Sequence, residues 1–255
     1  MATIPEQPPA PGRARRNSRR SWKRYVARRP WSIPLAILIL FGAVYAVNPG
    51  PSNPVHQFIF LSYQQDDSAD SYGKGRSDIA FVVFYTLLLF FIREFLMQQL
   101  LAPLARLSGI RSRGKRLRFM EQMYTALYII VMGPFGLHVM RTSTPDAWYF
   151  RTRGMYEGYP HRLQTAQAKV YYLVQAAFWA QQSVVMMLGL EKRRKDFYEL
   201  LGHHVVTLSL IGLSYRFHFT HMGIAVYFTH DVSDLVLAVS LDLPMTMESK
   251  GLTDV

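Results

Sequence analysis

Long uncharged apolar runs constrain this sequence more than any other feature. Trp31–Val47 is 17 residues without a charged side chain, just long enough to cross a hydrocarbon core of roughly 30 Å as a helix. Five further runs lie at 79–104, 124–140, 170–190, 200–215 and 217–241. Because a helix satisfies its own backbone polar groups in lipid, the six runs predict an all-α, polytopic transmembrane helix bundle with six spans.

Charge and cysteine content exclude several classes of protein. The net charge is +12, but residues 1–30 contain nine of the basic side chains and one acid, so no basic face extends over the body of the chain. We therefore expect no nucleic-acid partner. The absence of cysteine excludes disulfide scaffolds, thiolate nucleophiles and cysteine-ligated metal sites. Residues 1–30 are predicted to form a disordered basic tail on the cytosolic side.

The short loops differ in their density of basic residues, which predicts the orientation in the bilayer. The tail has nine Lys and Arg residues, loop 48–78 has two, loop 105–119 has six, loop 141–169 has five spread over 29 residues, and the turn 191–196 has four. The alternation places the N-terminus in the cytosol and makes 48–78 a lumenal loop. The four basic residues of the last turn are Lys192, Arg193, Arg194 and Lys195.

Titratable side chains inside the last two runs are the candidate functional residues. Placing such groups at membrane depth is energetically unfavourable, so they are rarely found there without a function. His203 and His204 lie in the fifth run, and their side chains point about 100° apart on a helix. The sixth run contains His230, Asp231 and Asp234, which share one helical face with Tyr227 and Ala238. An imidazole held by a carboxylate is suited to act as a general base or as an acyl carrier.

Other polar residues in the apolar runs are given simpler roles. Gln175, Gln181 and Gln182 are expected to bond neighbouring helices, with Gln175 and Gln182 on one face where both could line the same cavity. Arg93 lies about 21 Å into its run and is expected to extend to the cytosolic surface, without a chemical role.

Two other activities compete with acid–base chemistry. Eight histidines suggest a metal-dependent lipid hydroxylase or desaturase, but only one His-x-x-His pair (218–221) and one adjacent pair are present. Zinc on His and Asp is chemically possible but has no supporting motif, so no metal is predicted. A transporter is disfavoured because no internal repeat or paired broken helices are visible.

A family resemblance covers residues 45–240 and is strongest in one long block. Residues 188–197 (LGLEKRRKDF), 199–207 (ELLGHHVVT), 210–220 (LIGLSYRFHFT) and 227–234 (YFTHDVSD) resemble the signature of the ceramide synthases, which are TLC-domain membrane proteins. Residues 48–54, 93–96, 157–161 and 176–182 extend the resemblance. The basic tail and first helix are similar to the fungal branch.

The resemblance implies a sphingosine N-acyltransferase of the endoplasmic reticulum membrane, with acyl-CoA and a sphingoid base as substrates and no cofactor. It implies that His203 and His204 are the paired catalytic histidines, and that Asp231 and Asp234 are the required acids. His230, Tyr227 and Gln182 are possible supporting residues, and Lys192–Lys195 could meet the phosphates of CoA. A homodimer or heterodimer with related synthases is expected, and some fungal members use a small accessory subunit.

The end of the chain departs from the family pattern. Ceramide synthases continue beyond the two aspartates with at least one more span, whereas residues 242–255 are polar and contain Pro244. We therefore expect a basic cytosolic tail at 1–30, a first transmembrane helix at 31–47 and a lumenal loop at 48–78. A partial TLC catalytic domain at 79–241 and a short polar tail at 242–255 follow. The alternative to a synthase is a truncated, non-catalytic TLC-family protein that binds lipid or a partner subunit.

Overall fold

The computed structural model describes residues 29–65, 70–143, 152–189 and 197–251, and within these it is a bundle of helices. This confirms the predicted all-α class. Most of the basic tail and the basic turn 191–196 lie outside the described residues. The helices are α1 (Ser32–Val47), α2 (His56–Ile59), α3 (Ser77–Leu96), α4 (Ala102–Leu107), α5 (Arg113–Ser143), α6 (Ala166–Met187), α7 (Phe197–Arg216) and α8 (Thr220–Gly251).

Three helical stretches in the described part of the chain are long and apolar enough to cross a bilayer. They are Ser77–Leu107, in which α3 continues into α4 through a π-helical turn at Met97–Leu101, Arg113–Thr142 in α5, and Thr220–Ser240 in α8. The helix α1 is apolar but shorter. The protein is thus membrane-spanning, while the number of six spans and the cytosolic N-terminus stay predictions.

Two helix boundaries differ from those expected. The helix α5 begins at Arg113, so the basic residues 113–118 lie in its first turns and not in a loop. The helix α8 continues beyond Leu241 to Gly251. Arg and Lys are good helix formers, so the change from basic to apolar side chains in α5 marks where the helix enters the lipid rather than where it begins.

The helix α6 is the centre of the bundle. It packs against α3, α5, α7 and α8, and buried side chains lie on all of its faces. Lys169, Gln175 and Gln181 are each completely inaccessible to solvent on this helix. A helix surrounded by protein can hold such polar groups because neighbouring helices supply their hydrogen-bond partners. This position explains why α6 is less apolar than a lipid-facing span.

A polar cluster joins the N-terminal ends of α3 and α6. The Lys169 ammonium lies 2.7 Å from a carboxylate oxygen of Asp78 and donates to the backbone carbonyls of Ser62 (2.8 Å) and Gly73 (2.7 Å). The Tyr215 hydroxyl, at the end of α7, donates to the second carboxylate oxygen of Asp78 at 2.7 Å. The cluster therefore ties the segment before α3 to three helices at one end of the bundle.

Candidate active site

The two adjacent histidines lie near the start of α7 and line one cavity of about 240 Å³. Gln182 of α6 and Asp234 of α8 line the same cavity. The cavity lies between helices because α7 and α8 both pack against the central α6. The structure therefore brings His203, His204, Asp234 and Gln182 together, although they come from three separate segments of the sequence.

The two imidazoles lie in different surroundings. His204 is 9% exposed, and its Nδ1 has no hydrogen-bond partner among the described residues. His203 is exposed, with its Nε2 3.5 Å from the Thr207 hydroxyl one turn along α7. The ring centroids are 5.8 Å apart at an angle of 65°. One imidazole is thus held in the cavity wall while the other remains accessible.

The two aspartates of α8 have separate partners. Asp231 is 2% exposed and accepts a hydrogen bond of 2.5 Å from the Gln175 side-chain amide. The Gln175 carbonyl in turn accepts from the Tyr128 hydroxyl of α5 at 3.2 Å. Asp234 instead lines the histidine cavity and interacts electrostatically with His203 and His230. Asp231 therefore links three helices, whereas Asp234 is placed to meet a ligand.

The expected common face of α8 is therefore divided. Tyr227, Asp231 and Ala238 are buried, but His230 is exposed, so the stripe predicted from the spacing does not include its imidazole. His230 and Tyr227 line a second cavity, of about 430 Å³, between α6, α7 and α8. Residues one position apart on a helix differ by 100°, which is enough to separate His230 from Asp231.

Trp179 of α6 was not among the residues expected at the site. Its indole lines both cavities, and its centroid lies 6.0 to 6.3 Å from the rings of all three nearby imidazoles. The three are His203, His204 and His230. An indole has no titratable group, so sequence reasoning about charge could not have identified it. Its role in the geometry is to form a wall shared by the two cavities.

Arg93 departs from its expected role. It is only 2% exposed, pairs with the adjacent Glu94 at 2.5 Å and lines the histidine cavity. It does not extend to the surface, because the helical stretch continues beyond it to Leu107 and Glu94 provides a charge partner in the interior. The unusual Arg-Glu pair inside an apolar run was the sequence signal that could have indicated this position.

The glutamines of α6 divide between the two roles expected for them. Gln175 bonds neighbouring helices, and Gln181 does so by accepting a hydrogen bond from the Tyr124 hydroxyl at 3.4 Å. Gln182 lines the histidine cavity, but Gln175 does not. The expectation that Gln175 and Gln182 line one cavity is thus wrong for Gln175, since its amide faces Asp231.

Two further expectations concern ligands. Across the described ranges, no group of three or more His, Asp and Glu side chains is placed to hold a metal ion. The residues expected to contact CoA, Lys192, Arg193, Arg194 and Lys195, lie outside the described residues.

Comparison with known proteins agrees with the resemblance in the sequence. The TLC domain model matches residues 118–243, which include every titratable residue of the two cavities except Arg93. The chain is 50% identical over 238 residues to a sphingosine N-acyltransferase-like protein of Gibberella moniliformis, covering 89% of this chain and 61% of that protein. It is 49% identical over 213 residues to a sphingosine N-acyltransferase of Schizosaccharomyces pombe (83% and 54%).

A third relative is a ceramide synthase of Saccharomyces cerevisiae, 46% identical over 225 residues, which cover 88% of this chain and 54% of the yeast protein. The chain thus spans about half to three fifths of the length of these curated relatives. The relatives match most of the chain, and the TLC domain model includes both the histidine-bearing and the aspartate-bearing helix. Residues 118–243 are therefore a TLC domain, and the chain is similar to fungal ceramide synthases over most of its length.

Proposed function

We propose that this chain carries the acyl-transfer site of a ceramide synthase, which moves a fatty acyl group from acyl-CoA to the amine of a sphingoid base. The observation that carries the proposal is the cavity shared by His203, His204 and Asp234. Two imidazoles and a carboxylate in one cavity between helices match the needs of an amine substrate that must be bound as a cation and then deprotonated. The names of the curated relatives support the same reaction.

The chemistry follows from the state of the amine. An alkyl amine is protonated near neutral pH and has no free electron pair, so it must lose a proton before it can attack. In the proposed step, Asp234 holds the ammonium and a neutral imidazole of the histidine pair takes the proton. The amine nitrogen then attacks the thioester carbonyl carbon, the C–N bond forms, the C–S bond breaks, and the nitrogen's second proton passes to the departing CoA thiolate.

A covalent route through histidine is the alternative order of events. An imidazole nitrogen first attacks the thioester, CoA leaves as the thiol, and the sphingoid amine then takes the acyl group from the acyl-imidazole. Incubating the protein with acyl-CoA and no sphingoid base separates the two routes. A peptide containing His203 and His204 that gains the mass of the acyl group supports the covalent route, and an unmodified peptide in an active protein supports the general-base route.

Asp231 has a different proposed role from Asp234. Its carboxyl group is bonded to Gln175 and does not line the cavity, so we assign it to positioning α8 against α6. His230 and Tyr227 line the neighbouring cavity and would contact an apolar part of a substrate there. Gln182 and Arg93 would contact polar atoms of a substrate in the histidine cavity.

The test of the function is amide formation in membranes in which this chain is the only ceramide synthase. The unsubstituted chain is expected to form ceramide from acyl-CoA and sphingoid base, and His203→Ala and His204→Ala are each expected to abolish the product. The matched control is His138→Ala, because His138 is exposed on α5 and lines neither cavity. Full activity of the double histidine variant, or an inactive but folded parent chain, would contradict the proposal.

Location, partners and cofactors are part of the same proposal. We place the protein in the endoplasmic reticulum membrane, as a dimer with itself or a related synthase, with a small accessory subunit as a further candidate partner and no cofactor. The basic turn Lys192–Lys195 is proposed to contact the CoA phosphates. Replacing these four residues with Gln is then expected to raise KM for acyl-CoA more than it lowers kcat.

A further inference from the structure

An apolar groove lies on the side of α6 away from the histidine cavity. It has a volume of about 590 Å³, within the range of known ligand sites, and runs between α3, α6 and α7. Its walls are mainly aliphatic and aromatic side chains, among them Val82, Leu173 and Ile211. The groove shares neither histidine nor aspartate with the proposed active site.

Cationic side chains converge at one end of this groove. Lys74 and Arg76, just before α3, and Arg216, at the end of α7, all line it. Asp78 also lines this end, but its carboxylate is engaged by Lys169 and Tyr215. The mouth of an otherwise apolar groove therefore has an excess of positive charge.

The Lys74 ammonium is the least satisfied of these groups. Its Nζ is inaccessible to solvent and has no hydrogen-bond partner among the described residues, although it lies 5.1 Å from the centre of the Tyr215 ring. Burial, together with the nearby Lys169 charge, lowers the pKa of Lys74 to about 8, and the Asp78 carboxylate opposes this shift only in part. A buried cation without an anionic partner is unfavourable, so an anion that reaches the groove would relieve this cost.

We infer that the groove is a binding site for an anionic phospholipid of the surrounding bilayer, with an acyl chain between α3, α6 and α7 and its phosphate against Lys74, Arg76 and Arg216. Charge complementarity selects the headgroup, because three cations at the mouth favour a head with a net negative charge over a zwitterionic or neutral one. The apolar walls match an acyl chain. The inference does not depend on the proposed acyl-transfer activity.

The experiment measures lipid retention by native mass spectrometry of the full chain in detergent. The probes are phosphatidylglycerol and phosphatidylcholine with identical acyl chains. The unsubstituted protein is expected to retain phosphatidylglycerol preferentially, and Lys74→Gln is expected to weaken that retention by about tenfold, equivalent to about 1.4 kcal/mol. The control for charge is Arg153→Gln, because the Arg153 side chain is 93% exposed and lines none of the described cavities.

A second pair of variants tests the groove itself. Gly212 of α7 lines the groove, and a Cβ added there would meet no atom within 4 Å, so Gly212→Leu is expected to place its side chain in the groove. This variant is expected to lose both lipids, whereas Gly42→Leu on α1, where a Cβ also meets nothing, is expected to keep them. Equal retention of the two lipids by the parent chain, or unchanged retention by Gly212→Leu, would overturn the inference.

Discussion

Replacing Gln175 with Met tests the hydrogen-bond network that joins the three central helices. The substitution keeps side-chain length and helix propensity but removes both polar atoms of the amide. The Asp231 carboxyl group then loses its donor at 2.5 Å, the Tyr171 hydroxyl loses a donor at 3.1 Å, and the Tyr128 hydroxyl loses its acceptor at 3.2 Å. Each buried group left without a partner is destabilising by about 1–3 kcal/mol, so the expected total loss is roughly 3 kcal/mol.

The assay is thermal unfolding of the purified protein in detergent, followed by the fraction that remains monodisperse. For a chain of this size a loss of 1 kcal/mol lowers Tm by about 2–4 °C, which predicts a fall of roughly 6–12 °C for Gln175→Met. Gln182→Met is the matched control, because Gln182 lies on the same helix and is half-buried but is not part of the Asp231 network. Its Tm is expected to change by no more than about 2 °C, as for a substitution away from such features.

A double variant separates a lost hydrogen bond from altered packing. Adding Asp231→Leu to Gln175→Met removes the second polar group as well, and replacing both partners by apolar side chains can be nearly neutral. The part of the loss that came from the unpaired Asp231 carboxyl group is therefore expected to return, while the Tyr128 hydroxyl stays without its acceptor. If Gln175→Met and Gln182→Met lower Tm equally, or if the double variant is less stable than Gln175→Met alone, the assignment of Asp231 to positioning is wrong.

Three further predictions concern groups outside that network. Lys169→Met leaves the Asp78 carboxylate without its buried ion-pair partner and is expected to destabilise the protein by about 3–5 kcal/mol in thermal unfolding. Preference for the anionic lipid is expected to fall in native mass spectrometry as pH rises through about 8, the pKa of Lys74, because Lys74 then becomes neutral while the arginines at the groove stay charged. Gly223→Ala places a Cβ 2.7 Å from a Tyr172 ring carbon and is expected to lower Tm, since overpacking costs about 1–3 kcal/mol and improved helix propensity offsets only about 1.

Helix class and membrane character could be predicted from the sequence because they depend on properties that are local to each segment. An uncharged run such as Trp31–Val47 can satisfy its backbone in lipid only as a helix, whatever its neighbours are. The candidate residues were found for the same reason, since His203, His204 and Asp234 are costly in lipid unless other groups surround them. The shared cavity of these three residues agrees with that reasoning.

Which side chains pair with each other inside the bundle depends on contacts between segments that are distant in the sequence. The sequence placed His230, Asp231 and Asp234 on one face, but their rotation relative to α6 decided that Asp231 bonds Gln175 and that His230 enters a different cavity. The inward position of Arg93 was also decided by tertiary contacts. It depends on how far its helix continues beyond Arg93 and on which side chains pack beside it.

The sequence by itself determined the helices, their apolar surfaces and the titratable residues that lipid would not tolerate alone. Only the tertiary structure decided which of those residues meet, since a span with polar groups on several faces can satisfy them in more than one rotation. The physical reason is that hydrophobic burial is nearly independent of direction, whereas a hydrogen bond such as that from Gln175 to Asp231 requires one relative position of two helices.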